Sequence, residues 1–424
     1  MTLAIILVAL FTLLLMGVPV AYALGAMGLG MLILGGFSPL MAPQAILATM
    51  EGFILLAVPL FLLMSNILLK GGVGRDLFAA VQAWVGHWPG GLAVTTILSC
   101  ALFAAISGSS VATAATIGTV AIPEMIARGY EKKFVYGLLA AGGTLGILIP
   151  PSIPMIVYGF VTEESVIALF LAGIGPGLLL VVLFCGYAML HARIGGGYTP
   201  VPKASWPDTW VATRQAAPSA ALALLIILGL YSGAFTPTEG AAIGFAAALA
   251  ITVFWLRSLT WADFVAAAKD SAVTTIAILM IVAGAKVFGK AIALYRIPQD
   301  VSALISNAVD GPLAFILVVA GVLLLMGLVF EALSMILIMT PVLLPAAMGM
   351  GFDPIWFGIF MVVMVEVALI TPPVGLNLYV IQAVARSTLA EVARGVLPFL
   401  VLMLVVVGVL YALPDLALYI PFKW

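Results

Sequence analysis

The chain is 424 residues long, 65% hydrophobic and 8% charged, with 16 Lys and Arg against 17 Asp and Glu and a net charge of −1. A soluble domain carries about 25% charged residues, so this chain cannot clothe a water-facing surface. A soluble enzyme is excluded, a polytopic membrane protein whose outer surface meets the lipid bilayer is implied, and nothing in the charge balance points to nucleic acid.

A helix crosses ~30 Å of hydrocarbon with about 20 apolar residues. Residues 3–34 form the first apolar run, interrupted at Gly17-Val18-Pro19. No Lys or Arg precedes Lys70, so the run lacks the basic flank of a signal peptide and is expected to remain in the membrane. Residues 40–52 are amphipathic and predicted to lie in the interface, ahead of a span over 53–69. The runs 92–106 and 111–126 are too short to cross upright, since at 1.5 Å per residue each reaches only ~22 Å. Ser107-Gly108-Ser109-Ser110 joins them and is polar but uncharged. The pattern predicts a re-entrant helical hairpin whose tip stops inside the membrane.

Next, GTLGILIPPSIP at 143–154 breaks a span with paired prolines. Such a pair removes two backbone donors and disfavours helix at the residue before it. Lipid offers the freed carbonyls no partner, so this backbone suits a cavity wall or a binding site better than a simple kink. A span over 166–190 follows. Beyond a hydrophilic stretch come spans over 216–232 and 240–256, a second amphipathic stretch over 258–271 and a span over 273–289. Residues 313–330 and 332–347 repeat the hairpin pattern around Gly327 to Ser334, with a less polar tip. ALITPPVGLNLYV at 368–380 repeats the proline break, and 396–413 is the last span.

Pro150 and Pro151 recur 222 residues later as Pro372 and Pro373, and Pro123 recurs as Pro345. We therefore expect two repeats, 1–190 and 216–424, joined by a cytoplasmic connector at 191–215. Placing Arg128, Lys132, Lys133, Arg193, Lys203 and Arg214 in the cytoplasm also puts Lys70, Arg75, Arg257, Lys269, Arg386 and Arg394 there. Lys286, Lys290, Arg296 and Lys423 then fall outside, with both termini. The expected fold is an all-α polytopic membrane protein of inverted repeats, with two re-entrant helical hairpins and two broken helices. That is the pattern of a secondary transporter.

An ion site without a large buried charge needs oxygen ligands. Carbonyls at a helix break and Ser or Thr hydroxyls supply them, and Na+ is a hard cation suited to such a cage. In the first repeat the candidates are Ser107 and Ser110 at the tip with Gly146, Ile149 and Pro150 at the break. In the second they are Gly327 with Ala368, Thr371 and Val374. N–H groups freed where a half-helix starts suit an anionic substrate, and Ser109, Thr113, Ser152 and Asn377 are the expected substrate contacts. Close helix packing also accounts for small residues over 107–118. Glu331 and Glu366 lie in apolar runs, where a carboxylate is costly; each is either functional or held by a structural hydrogen bond. Glu239, in TPTEG, is read as complementing a helix start.

SGSSVATAATIG at 107–118, IPEMIARGY at 122–130, GTLGILIPPSIPMIVYG at 143–159, LLAVPLF at 55–61, FTPTEGAAIG at 235–244 and LITPPVGLNLYV at 369–380 carry a resemblance over essentially the whole chain. They resemble the large membrane subunit of tripartite ATP-independent periplasmic (TRAP) transporters. The resemblance implies sodium-driven import of organic acids, a periplasmic substrate-binding protein, a separate small membrane subunit of about four spans, and the bacterial inner membrane. It also implies an elevator-type fold whose scaffold and transport domains are each drawn from both repeats. Ser107, Ser110, Gly146, Ile149 and Pro150 match the region of one sodium site, and Gly327, Ala368, Thr371 and Val374 the other. Lys286 and Lys290 are more basic than the resemblance leads one to expect. The competing reading is a stand-alone sodium or proton carboxylate symporter. An intramembrane hydrolase lacks its paired catalytic groups, a channel needs no paired breaks, and no GxxxxGK[ST] phosphate loop supports an ATP-driven pump.

Overall fold

The computed structural model describes residues 2–195, 197–308 and 311–423, and every regular element among them is a helix. Helices α1 (Thr2–Leu15) and α2 (Val20–Leu34) part at Gly17, whose φ of +82° favours glycine, and at Pro19. Next come α3 (Met41–Met50), α4 (Ala57–Lys70) and α5 (Val73–Val85). The first hairpin is α6 (Gly91–Ser107) with α7 (Ser110–Ala127). The first broken helix is α8 (Lys132–Leu148) with α9 (Ile153–Thr162), bent by 41°, and α10 (Val166–Gly195) follows. The second set is α11 (Trp206–Tyr231), α12 (Pro237–Ala250), α13 (Trp261–Leu294) and α14 (Ile297–Ala308). It continues with the hairpin α15 (Pro312–Met326) and α16 (Ala332–Gly349), then the broken pair α17 (Pro354–Leu369) and α18 (Leu376–Ala385). Helices α19 (Leu389–Ala412) and α20 (Asp415–Lys423) end it.

Helix starts at 110, 132, 153 and 166 recur at 332, 354, 376 and 389. Packing between the two sets is reciprocal. Helix α7 lies on α18 and α16 on α9, while α2 lies on α13 and α12 on α4. Each hairpin arm therefore covers the far half of the other set's broken helix. The most enclosed element is α17, in which every residue from Ile355 to Leu369 is buried. Large apolar side chains are turned outward along α11 (Leu224, Leu225, Leu228) and α13 (Val273, Ile276, Met280), the faces left for lipid.

Three expectations need correction. Residues 258–271 do not form a separate interfacial helix: from Trp261 they run straight into the following span, giving one helix of 34 residues, ~51 Å at 1.5 Å per residue. Glu51-Gly52 breaks α3 from α4, whereas the first glycine of α13 is Gly284, well past the point where a second helix would have to start. The connector is also shorter than 191–215. Helix α10 continues to Gly195, and α11 begins at Trp206, where Ser205 caps it by accepting from the Asp208 N–H. Finally, α5 and α14 are short helices that the apolar runs did not announce; α5 docks on α11, with Trp84 edge-on to Trp206 and its indole N–H donating to Thr213.

Helices α8 and α19 approach through glycine on both sides. A Cβ on Gly137 would fall 2.0 Å from the Gly395 carbonyl oxygen, and one on Gly395 would fall 1.9 Å from that of Lys133. Contacts this close let backbones meet where no hydrophobic effect draws helices together. Gly137→Leu or Gly395→Leu is expected to destabilise the protein by about 1–3 kcal/mol or more through overpacking. Gly186→Leu, with nothing within 4 Å of its Cβ position, should leave the melting temperature of the detergent-purified protein in place.

Candidate functional site

The first hairpin tip and the first helix break are in contact through backbone. Gly108 ends α6 with φ +60°, and a Cβ there would lie 2.5 Å from the Pro151 carbonyl oxygen. A Cβ on Gly146 would lie 2.5 Å from the Ser109 carbonyl oxygen. The two glycines let the turn rest on the broken helix with no side chain between. Pro150 and Pro151, joined by a cis peptide, carry no N–H, so the carbonyls of Gly146 and Ile147 lose the donors that an unbroken helix would supply.

The hydroxyls at this tip have a definite polarity. Thr113 Oγ1 donates to the Ser109 carbonyl at 2.8 Å, and Ser107 Oγ lies 2.8 Å from Thr113 Oγ1. With the threonine hydrogen so used, Ser107 is the donor of that second bond. Ser110 Oγ donates to Glu366 Oε1. Both serines thus spend their single hydrogen on neighbours and keep lone pairs to offer. Ser107 and Ser110 are each 2% exposed, so the acceptors are held away from bulk water.

The second half-site repeats this plan with fewer side chains. Gly327, just after α15, lies against the end of α17, where a Cβ would fall 2.3 Å from the Ala368 Cβ. Pro372 and Pro373 remove the donors for the carbonyls of Ala368 and Leu369. Ala368 regains one bond, from the Thr371 N–H at 3.1 Å, and keeps a lone pair. Thr371 Oγ1 donates to the Val367 carbonyl at 2.7 Å, so its oxygen too is left as an acceptor. Val374 sits in the same break.

Ser109 and Ser152 are the N-caps of α7 and α9, accepting from the N–H of Ala112 and Met155, and Ser152 is fully buried. Thr113 is likewise fully buried and spent inside the hairpin. Asn377 is fully buried near the start of α18, and neither its Oδ1 nor its Nδ2 has a partner among the described residues. Glu331 is a helix cap, accepting from the Ser334 N–H and hydroxyl at 3.3 and 3.0 Å. Glu239 forms a capping box with Thr236. Glu366 does more: it ties the end of α17, next to one half-site, to Ser110 in the other, and its Oε2 is unpartnered among the described residues. Nothing local announces that link, because its ends stand 256 residues apart. The role of Gly108 was readable in principle from the Ser-Gly-Ser turn.

Two hairpin tips ending against two broken helices define the fold of an ion-transporter-like membrane permease. The chain belongs to the tripartite ATP-independent periplasmic transporter family: residues 7–416 match its DctM component. It is 41% identical over 373 residues to a C4-dicarboxylate TRAP transporter large permease protein of Pseudomonas aeruginosa, covering 88% of this chain and 87% of that one. To the protein of that name in Rhodobacter capsulatus it is 37% identical over 427 residues, covering 97% of both. Its fold resembles the solved structure of the Alcanivorax borkumensis YdaH transporter, with a TM-score of 0.60 at 16% identity over 89% of this chain and 88% of that one. The chain is thus a large TRAP permease subunit, a multi-pass protein of the bacterial inner membrane and not an enzyme.

Gly108→Ala combines a left-handed backbone penalty of about 1–2 kcal/mol with a clash against Pro151. Gly108→Ala and Gly146→Ala are each expected to lower transport by the reconstituted protein about tenfold, the equivalent of ~1.4 kcal/mol. Gly118→Ala, whose Cβ would meet only side chains at 3.5 Å or more, should transport normally.

Proposed function

We propose that this permease imports an organic acid, in particular a carboxylate, using a sodium gradient. The observation that carries the proposal is the polarity of the first tip. Ser107 and Ser110 present lone pairs beside carbonyls stripped of their donors, a buried cluster of acceptors that calls for a cation. Oxygen ligands without a full complement of negative charge suit a hard monovalent ion. Ser107 and Ser110 with the carbonyls of Gly146, Ile149 and Pro150 would hold one Na+. Gly327, Ala368, Thr371 and Val374 would hold another through backbone and hydroxyl oxygens. A bound cation supplies the positive charge that stabilises each tip against its break, and so the closed form of each half-site.

Cargo is assigned to the region between the tips, where Asn377 has donors and acceptors to give and Ser109 and Ser152 mark the starts of α7 and α9. Thr113 positions Ser107 there through the bond between their hydroxyls. The relatives named for C4-dicarboxylates support a carboxylate as cargo. The hairpins and broken helices of both repeats, of opposite topology, would move together past a scaffold built on α2, α4, α12 and α13, in the manner of an elevator. A small four-span membrane subunit and a periplasmic substrate-binding protein complete the assembly.

Uptake of labelled succinate into proteoliposomes, with the small subunit and the binding protein supplied, tests this reading. Collapse of the sodium gradient should reduce uptake to background, and so should omission of the binding protein. Uptake that persists without the binding protein would favour a stand-alone symporter. Ser107→Ala and Thr371→Ala should each raise the half-saturating sodium concentration about tenfold, the value of one hydrogen-bond-strength contact.

A further inference from the structure

A cavity of about 820 Å³ opens between α3 and α13 on one side and the end of α9 and α16 on the other. It takes in the two lysines that stood out in the sequence. Lys286 and Lys290 lie one turn apart on α13, and both line it. Like charges at this spacing repel, so the pair weakens the helix unless something between them is negative. Ala285, Gly289 and Ala293 on the same helix are small and leave room beside them.

The Lys286 ammonium is half-buried and poorly satisfied. Its hydrogen bond goes to the Phe160 carbonyl at 3.4 Å, and it sits 4.6 Å from the centre of the Phe160 ring. Among the described residues no carboxylate comes within ion-pair distance of it. An ammonium has three donors, so two have no protein partner. Phe160 itself is fixed, because Gly52 lies under its ring: a Cβ there would come within 2.6 Å. Glu163 and Glu164 stand on the opposite wall. Burial, with the charge of Asp353 adding to it, pushes the Glu164 carboxyl upward from its ordinary value, and Glu163 acts on the Lys286 ammonium through space without forming an ion pair with it. Leu337 on α16 also lines the cavity, six residues past Glu331 and therefore ~9 Å along the helix from the second hairpin tip.

We propose that this cavity is an outer subsite for the cargo, in which the Lys286 and Lys290 ammonium groups hold the carboxylate of an organic acid before it passes to the hairpin tips. The inference rests on the carboxylate-import reading above and adds a site to it. The charge-assisted bonds to a carboxylate are of the strong kind. The two lysines stand on α13, in the set past which the hairpins would move, while Phe160 on α9 and Leu337 on α16 belong to the moving set, so the cavity lies along the seam between the two.

Acetylation of lysines in the purified permease, followed by mass spectrometry, tests the site without requiring transport. Succinate at about five times its half-saturating concentration should slow modification of Lys286 about sixfold, since only the free fraction reacts. Glycerol should give no protection, and Lys203 in the exposed connector should react at one rate throughout. In uptake assays Lys286→Met should raise the half-saturating succinate concentration about tenfold with little change in maximal rate, and Lys286→Arg should restore it. Unprotected Lys286 in a preparation that imports succinate would overturn the subsite alone. So would a Lys286→Met protein that loses maximal rate with its half-saturation unchanged, because Lys286 would then serve only to clasp Phe160. A preparation that imports no carboxylate under any gradient would instead remove the import reading on which the subsite rests.

Discussion

Hydrocarbon cannot hydrogen-bond to a peptide group, and that single constraint decides where this chain can be irregular. Each span closes its own bonds until paired prolines interrupt it. There the backbone must be covered by other protein, and in both halves of this molecule the cover is the tip of a helical hairpin. Glycine makes the cover possible: Gly108 and Gly146 bring turn and break together in the first half, and Gly327 meets Ala368 in the second. The site is the place where the fold's main difficulty is resolved.

The two half-sites solve it differently. The first uses hydroxyls whose hydrogens are directed elsewhere, to Thr113 and to Glu366, so that oxygen faces the break. The second relies almost wholly on backbone, with Thr371 as its hydroxyl. Glu366 joins them, because the helix end that contributes Ala368 also carries the acceptor for Ser110. The two half-sites thus share a buried hydrogen bond.

Much of this was legible in the sequence, for definite reasons. Pro150-Pro151 and Pro372-Pro373 are unambiguous because proline has no N–H, and the turn between α6 and α7 was marked by the polar run 107–110, although the arms are longer than their apolar runs suggested and α7, at 18 residues, is itself long enough to cross. The capping role of Glu239 followed from its neighbours alone. Long-range or geometric facts were not legible. The bond from Ser110 to Glu366, the unpartnered amide of Asn377 and the burial of Thr113 depend on tertiary placement that no local pattern encodes. The continuous α13 was misjudged because an amphipathic stretch announces a membrane surface but does not say whether the helix stops there. Lys286 and Lys290 stood out only as misplaced charge until α3 and α9 supplied the walls around them.

The reciprocal packing of α7 on α18 and of α16 on α9 carries a consequence for biogenesis. When synthesis has reached the end of α10, the first broken helix is complete in covalent terms but α9 has no α16 to cover it. The nascent first half is thus held in an unfinished state until about 150 further residues have been made, and quality control has a long interval in which to recognise a stalled or truncated chain by the uncovered face of α9.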